Sequence, residues 1–494
     1  FFFHADDGIR DFCLSRGLGD VYKRQAAYYL STNELAEFNY TDINRALNKI
    51  SGINFYEEDG FGLRPNISIR GTSPERSSKI AVMEDGILIS PAPYSASSAY
   101  YFPSIARMQA VEVLKGSSQI QYGPYTTGGA INFVSTEIPK SFKGKISTSY
   151  GSFNTGQTHA TIGNKSGNIG YMLEYLNYNS NGFKSLGNQL NTGFDINEIT
   201  SKFRFEIFKK SKAKQSIELK FHHYDEISNE TYLGLTNSDF DKNPFLRYPG
   251  SEKDKMDAEH IQYLVTHEIN FSEKLKITSN FYYNGFKRNW YKLDDVVFEA
   301  NSQKISKVVS NPDKFPGHIS VLRGYLDLEN SLKVKANNRE YISKGIQTKI
   351  DYHWYAKNNS FNDLEIGLRF HYDEEDRFQW EDVYNINNGF MSLGIYGDKG
   401  SQGNRISYAN SFASYIMYKY KINRLTISPG IRFESIKLSR DDFGKTNPSR
   451  NSNDLSSREN KVSVFIPGIG LNLSLIHISE PTRQAEISYA VFCL

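Results

Sequence analysis

Adjacent imidazoles at His222-His223 are the obvious place to look for metal chemistry in this 494-residue chain. They lie in a run of alternating apolar residues, where neighbours point to opposite faces of a strand, so the pair cannot close on one ion. No metal site is predicted. Covalent chemistry has no better carrier, because neither a Gly-x-Ser-x-Gly elbow nor a clustered Ser/His/Asp set occurs. The glycine-rich run YGPYTTGG (122–129) fits neither phosphate-cradling spacing, Gly-x-x-x-x-Gly-Lys-Ser/Thr or Gly-x-Gly-x-x-Gly. What remains are single basic, aromatic and amide side chains, which hold a ligand rather than transform it. The chain therefore reads as a non-enzyme without a resident cofactor.

The elements that must position those side chains fall into two regimes. From about Phe142 onward the sequence alternates with a period of two. Leu364, Ile366, Leu368, Phe370 and Tyr372 share one face, with Glu365, Gly367, Arg369 and His371 opposite. Leu425, Ile427, Ile431 and Phe433 oppose Thr426, Ser428, Arg432 and Glu434, and similar runs occupy 217–223 and 275–284. Short polar turns near 164–168, 209–214, 271–274, 356–363 and 420–423 alternate with long irregular stretches near 181–200, 226–258, 288–341, 376–405 and 437–460. Such alternation marks an outer-membrane barrel, with short turns on one side and long loops on the other. About twelve strands are expected up to Leu473.

Residues 26–139 read instead as a small mixed α/β domain. Ser31 with Glu34 makes a capping box, Thr41 precedes a second helix, and the Asp85-Gly86 pair predicts a hairpin. Mean hydropathy is −0.53 and no apolar run approaches 18 residues, which excludes a helical membrane protein but not a barrel. Lys+Arg 58 against Asp+Glu 55 leaves a net charge of +3, too little to argue for nucleic acid. Residues 1–25 and 475–494, which hold both cysteines, lack any helical or strand period. They resemble translated sequencing-library adapters and are set apart as non-native, with native tails as the alternative.

With small domain and barrel in view, the chain resembles a TonB-dependent outer-membrane receptor of Gram-negative bacteria. The resemblance rests on PNISIRGTSPERSSKIAVMEDGILI and APYSASSAYYFPSIARMQAVEVLKGSSQIQYGPYTTGGAINFVS, which match a plug signature. LNKISGINFYEEDGFG, the Ala92–Tyr94 APY and ISPGIRFE are similar to the ferric-dicitrate branch. The fold implied is membrane all-β: a plug (26–139) followed by an incomplete antiparallel barrel (140–474), about 12 of the roughly 22 strands of such transporters. The resemblance implies import of a ferric chelate, with iron carried only as bound chelate, TonB engaged through a motif upstream of this chain, and lipid as the surrounding partner. A passive porin, a surface adhesin and a soluble carbohydrate-binding protein are the alternatives, with haem or cobalamin as other ligands.

The resemblance also implies site residues. Arg70 and Lys115 occupy plug positions where the family places bases that pair with the barrel wall, and Glu434, Glu365 and Glu218 are the inward-facing partners expected. Lys287 and Arg288 fall where relatives carry a ligand-contacting arginine, and Arg323 follows in the next loop. Phe61 and Ala96 replace a ligand-facing threonine and glutamine, while Glu57, Glu58 and Asp59 make that apex acidic. This departure suits a chelate with an aromatic or amphiphilic shell, stacked on Phe61, Tyr94 and Tyr100, better than dicitrate.

Overall fold

The computed structural model describes residues 27–473 apart from 39–40, 117–119, 188–189, 208–212 and 232, so both adapter-like ends lie outside the described residues. The N-terminal part comprises β1 (Ala27–Leu30), α1 (Thr32–Phe38), α2 (Ile43–Leu47), β2 (Ile53–Tyr56), β3 (Asn66–Ile69), β4 (Ile80–Glu84), β5 (Ile87–Leu88), β6 (Met108–Leu114) and β7 (Gly129–Ser135). Five strands form one sheet in the order β1-β6-β7-β4-β5, and β2 pairs with β3. The Glu34 carboxylate accepts from the Ser31 N–H at 2.8 Å and the Ser31 hydroxyl from the Glu34 N–H at 3.4 Å, the capping box expected. At α2 the cap is Asp42 rather than Thr41, because the Thr41 hydroxyl is taken by Tyr178 of the barrel wall at 3.1 Å. Asp85 and Gly86 both adopt positive φ (51° and 77°), the two-residue hairpin turn that Asp-Gly favours.

The remainder is wall and loop: β8 (Lys143–Gly151), β9 (Thr155–Ser166), β10 (Ile169–Ser180), β11 (Ser185–Leu186), β12 (Phe194–Ile207), β13 (Lys214–Ser228), β14 (Leu246–Arg247), β15 (Lys255–Asn270), β16 (Leu275–Phe298), β17 (Asn301–Lys304), β18 (Leu328–Tyr355), β19 (Phe361–Asn387), β20 (Phe390–Ile395), β21 (Gly403–Ile422), β22 (Leu425–Asp442) and β23 (Ser456–Leu473). Twelve of these run side by side in chain order from β8 to β23, all antiparallel, and curve around the small domain; the twelve strands expected are present. Among the described residues the sheet stays open, since β8 and β23 are its two unpaired edges.

Two features depart from the expected pattern. The connection between β8 and β9 is a single turn, Ser152–Asn154, so the long-and-short alternation begins only after it. The stretches 288–341 and 376–405, read as irregular, are largely strand: β16, β18 and β19 run for 24, 28 and 27 residues. Crossing a bilayer takes about 9–11 residues, so more than half of each strand stands outside it. There they pack with α3 (Asn237–Lys242), α4 (Ile305–Ser310) and α5 (Pro316–Leu322) into a hood whose apolar centre includes Val296, Val308, Leu322, Leu332 and Ile386. Between membrane and hood the inward face carries charged residues such as Arg288, Arg339 and Glu375, so the period-two signal is interrupted although the pairing continues.

Within the membrane the alternation holds. Leu219, Phe281, Leu368, Phe370 and Ile431 face outward and are 40–60% exposed, whereas Lys220, Asn284, Arg369, His371 and Arg432 face inward and are at most 9% exposed. Replacing Leu219 by arginine puts a charge on the lipid face, which costs roughly 2–4 kcal/mol near the bilayer midplane. The variant is expected to assemble poorly in urea-titrated folding into vesicles, while Phe281→Leu folds like the parent.

Candidate ligand site and plug anchor

A turn at Ile105–Arg107 delivers Arg107 to the start of β6, fully buried between small domain and wall. Its Nη1 and Nη2 donate to the two oxygens of Glu84 on β4 at 2.7 and 2.9 Å, and its Nε donates to Glu198 on β12 at 2.5 Å. Lys220 of β13 reaches Glu84 at 2.5 Å and Asp85 at 2.8 Å, and Lys202 of β12 donates to the Ser135 hydroxyl and the Thr136 carbonyl, each at 2.7 Å. Arg64 forks the carboxylate of Glu226 on β13, one arm at 3.1 Å. Higher up, the Asp373 carboxylate of β19 accepts from the Tyr94 and Ser95 N–H groups at 2.7 and 2.9 Å. Burial would push the Glu84 carboxyl up, but the charges of Arg107 and Lys220 outweigh it and hold it at about 2.

These anchors are not the expected ones. Arg70 is exposed in a left-handed turn just after β3 (φ 58°), where the chain leaves the short β2–β3 ladder. Lys115 donates to the Ser51 carbonyl within the small domain, since β6 has by then moved its side chains toward the domain's own face. Glu365 bonds to Tyr415 at 2.6 Å and lies 3.6 Å from Lys349, and Glu218 lies 3.6 Å from Arg204, so both serve the wall itself. Glu434 does meet the small domain: it pairs with Arg432 at 2.6 Å and accepts from the Tyr94 hydroxyl at 3.4 Å. His222 faces inward, sharing hydrogens with Tyr101 and Thr200 at 2.9 Å each, while His223 faces outward beside Glu259, the opposition that the strand period required.

Above the anchor, the register of four adjacent strands places arginines in one row. Arg288 of β16 lies opposite Arg339 of β18, Arg339 opposite Arg377 of β19, and Arg377 opposite Arg405 of β21. Directly opposed residues share a face, and Arg288 is buried inward with its guanidinium 3.8 Å from the Tyr100 ring centre of the apex. Like charges in register repel. Among the described residues the carboxylate bonded to this row is Glu375, which accepts from Arg339 at 2.9 Å and Arg377 at 2.7 Å. Among the described residues Arg288 otherwise donates to the Tyr341 hydroxyl (3.3 Å) and the Asn337 carbonyl (3.4 Å), and the Nε atoms of Arg288, Arg339 and Arg405 are buried without a hydrogen-bond partner there. Arg405 lies opposite Asp442 of β22, which itself accepts from Arg440 at 2.8 Å, so five cations meet two carboxylates and a positive field remains. Burial would raise the Tyr100 phenol, but Arg288, Arg339, Arg76 and Arg377 outweigh that and lower it.

The apex is also less acidic than its letters imply. Asp59 is buried, its carboxylate accepting the Phe61, Leu63 and Arg64 N–H groups at 2.6, 3.2 and 2.8 Å. Glu58 forks Arg76 at 2.5 and 2.8 Å. Of the expected ligand residues, Tyr100 and Arg288 come together. Phe61 is half-buried against Phe183 and Phe194, ring centres 5.4 and 5.0 Å away, on the β10–β12 side of the apex. Tyr94 is buried, its hydroxyl accepting from Arg369 at 2.6 Å, and so belongs to the anchor. Lys287 points outward, as the neighbour of an inward residue must, and Arg323 pairs with Asp239 at 2.8 Å to join two outer loops.

A domain held inside a membrane-spanning antiparallel wall, with a cationic site at its outer apex, defines a plugged outer-membrane receptor. The chain belongs to the TonB-dependent receptor family: the model for the TonB-dependent Receptor Plug Domain matches residues 23–130, and the TonB dependent receptor-like beta-barrel model matches residues 208–478. Its fold is similar to that of the unliganded ferric citrate transporter FecA, at 19% identity and a TM-score of 0.72 over 93% of this chain. It is similar also to the ferric yersiniabactin uptake receptor FyuA of Yersinia pestis (14%, TM-score 0.66, 90% of this chain) and the siderophore receptor PiuA of Acinetobacter baumannii (14%, 0.64, 92%). The chain spans 62%, 61% and 62% of those three chains respectively.

A carboxyl held low in the folded state adds stability that is present above its unfolded value and lost as pH falls toward its folded value. For Glu84 that window runs from 4.5 down to about 2. Plug protection, followed by proteolysis, is expected to hold from neutral pH to about 5 and then to decline, a decline that Glu84→Gln flattens. At neutral pH Arg64→Ala is expected to cost about 3–5 kcal/mol as a broken buried pair, while Arg70→Ala stays within about 0.5 kcal/mol as an exposed substitution.

Proposed function

We propose that this protein is the plug-bearing part of a receptor that imports an anionic ferric chelate by TonB-driven movement of the plug. The observation that carries the reading is the row Arg288, Arg339, Arg377 and Arg405 above Tyr100, in which arginines outnumber the carboxylates Glu375 and Asp442 beside them. An iron complex wrapped in carboxylate, catecholate or phenolate oxygens presents the negative charge and acceptor atoms that guanidinium groups take in pairs. Buried donors left without partners are costly, and a ligand's oxygens would supply those partners. Ferric citrate is the first substrate to test. A chelate with aromatic rings is favoured by a separate observation, the Phe61, Phe183 and Phe194 cluster on the other side of the apex.

In this reading binding at the apex is communicated to a TonB-contacting segment upstream of the plug, and the plug is then pulled to open a path. A passive porin does not account for charged plug residues built into the wall at two places, Arg107 with Glu84 and Arg64. The test is titration of the full-length receptor in detergent with ferric citrate, a ferric catecholate, haem and cobalamin. Losing one charge-assisted contact of about 1.5–3 kcal/mol corresponds to roughly 10- to 100-fold in affinity. Arg288→Ala is expected to lose that much for a ferric chelate, with Lys287→Ala and Arg323→Ala within about twofold of the parent. Equal binding by Arg288→Ala and the parent, or binding of haem or cobalamin alone, contradicts the assignment.

A further inference from the structure

The inward residues of β19 act as a ruler along the lumen. Arg377 belongs to the apex row, Asp373 holds the Tyr94 and Ser95 amides, and Arg369 lies eight residues below Arg377, roughly 26 Å at strand rise. At the Arg369 level the plug backbone meets the wall at residues 120–123. Arg369 donates through Nη2 to the Gly123 carbonyl at 2.7 Å, and Arg432 of β22 donates through Nη1 to the Ile120 and Gln121 carbonyls at 3.4 and 3.2 Å. Glu434 holds both arginines, at 3.8 and 2.6 Å. The approach is so close that a Cβ on Gly123 would lie 2.4 Å from Glu434 Oε1, which explains glycine there.

Directly beneath this clasp is a cavity of about 720 Å³ between plug and wall, and Arg369 and Arg432 form part of its lining. That volume lies within the roughly 300–1,000 Å³ of small-molecule sites. Its character differs from the apex. Seven acidic and seven basic side chains line it, and several are already paired across the wall: Lys349 lies 3.6 Å from Glu365, and Glu268 accepts from Arg204 and Lys276 at 2.9 and 2.7 Å. Paired cations hold an anion weakly, so the affinity for an anionic chelate falls from the apex to this chamber. Conduction demands such a sequence, favourable enough to enter and weak enough to leave.

We propose that the cavity is a transit chamber for the hydrated anionic chelate, and that residues 120–123, clasped by Arg369 and Arg432 through backbone carbonyls, are the gate between apex and chamber. The inference rests on the import reading, so its test uses no chelate. The full-length receptor is placed in a planar bilayer in potassium chloride and its conductance recorded. The parent is expected to be tight, and the Arg369→Gln/Arg432→Gln double variant to conduct at least tenfold more. Adding Thr278→Cys, whose position lines the chamber, should make that conductance fall severalfold when a cationic thiol reagent is applied from the turn side. Should the double variant not assemble, Gly123→Ala, which pushes the gate off Glu434, is recorded in its place. A variant as tight as the parent overturns the gate, and conductance indifferent to the thiol reagent overturns the chamber. Failure of the receptor to bind any ferric chelate would refute the import reading and leave these currents unchanged.

Discussion

A guanidinium stripped of water needs carboxylates within hydrogen-bonding reach, and two elements converge on Arg107 to provide them, β4 with Glu84 and β12 with Glu198, while Lys220 of β13 donates to Glu84 and balances the charge. Removing an ion from water costs several kcal/mol, which only a nearly complete set of partners offsets. The plug therefore has one seating in which its buried charges are satisfied, and in any other they are not. Specificity of seating, more than raw stability, is what such a network contributes. The apolar plug core around Ile67, Val82, Val111 and Ile131 supplies cohesion, but apolar contact alone would tolerate rotation inside a polar lumen.

Once the plug is seated, everything above it inherits its register. Tyr100 sits seven residues before Arg107, and the next residue, Tyr101, accepts from Arg107 through its hydroxyl at 2.9 Å, so the anchor fixes the height at which Tyr100 meets Arg288. The wall contributes its own constraint, because antiparallel pairing carries four arginines from four strands to one level. Their mutual repulsion is tolerated only because long strands and the hood hold the pairing. A site kept in an unsatisfied state of this kind is stabilised when an anion arrives, and the gain is available to bias the plug. The lower clasp uses carbonyl acceptors instead of carboxylates, which makes it the weaker of the two holds.

Much of this was legible in the letters. Period two identified the wall, its inward and outward residues and the strand number, and the Ser31–Glu34 box and Asp85-Gly86 turn were local chemistry with one outcome. The anchors were harder. Arg70 and Arg107 look alike as letters beside apolar runs; which one is buried depends on where β3 ends and on which side of the small domain the turn before β6 meets the wall. Arg107 stands directly before the apolar strand MQAVEVL, the one available sign that it would be enclosed. The arginine row was not visible: Arg339 and Arg377 are equidistant from residue 358, the middle of the turn between Tyr355 and Phe361, whereas the turn read from the letters, 356–363, centres between 359 and 360 and would set Arg339 opposite Trp380. Arg288 and Arg405 join it across long loops, where no count of residues sets the register. The hood was not legible because charged inward residues such as Arg288, Arg339 and Glu375 interrupt the period between the membrane and its apolar centre.

The claim on which the rest depends is that plug and wall are coupled through Arg107 and Glu198. A double-mutant cycle measures it directly, with Arg107→Met, Glu198→Gln and the double variant in the full-length receptor, and plug unfolding followed by hydrogen exchange of the β4 and β6 amides. Residues in one buried charge network couple by about 0.5–3 kcal/mol, and the account predicts a value in the upper half of that range. Coupling of less than about 0.5 kcal/mol, the additivity seen for independent sites, would mean that the plug is held by something other than its buried charges.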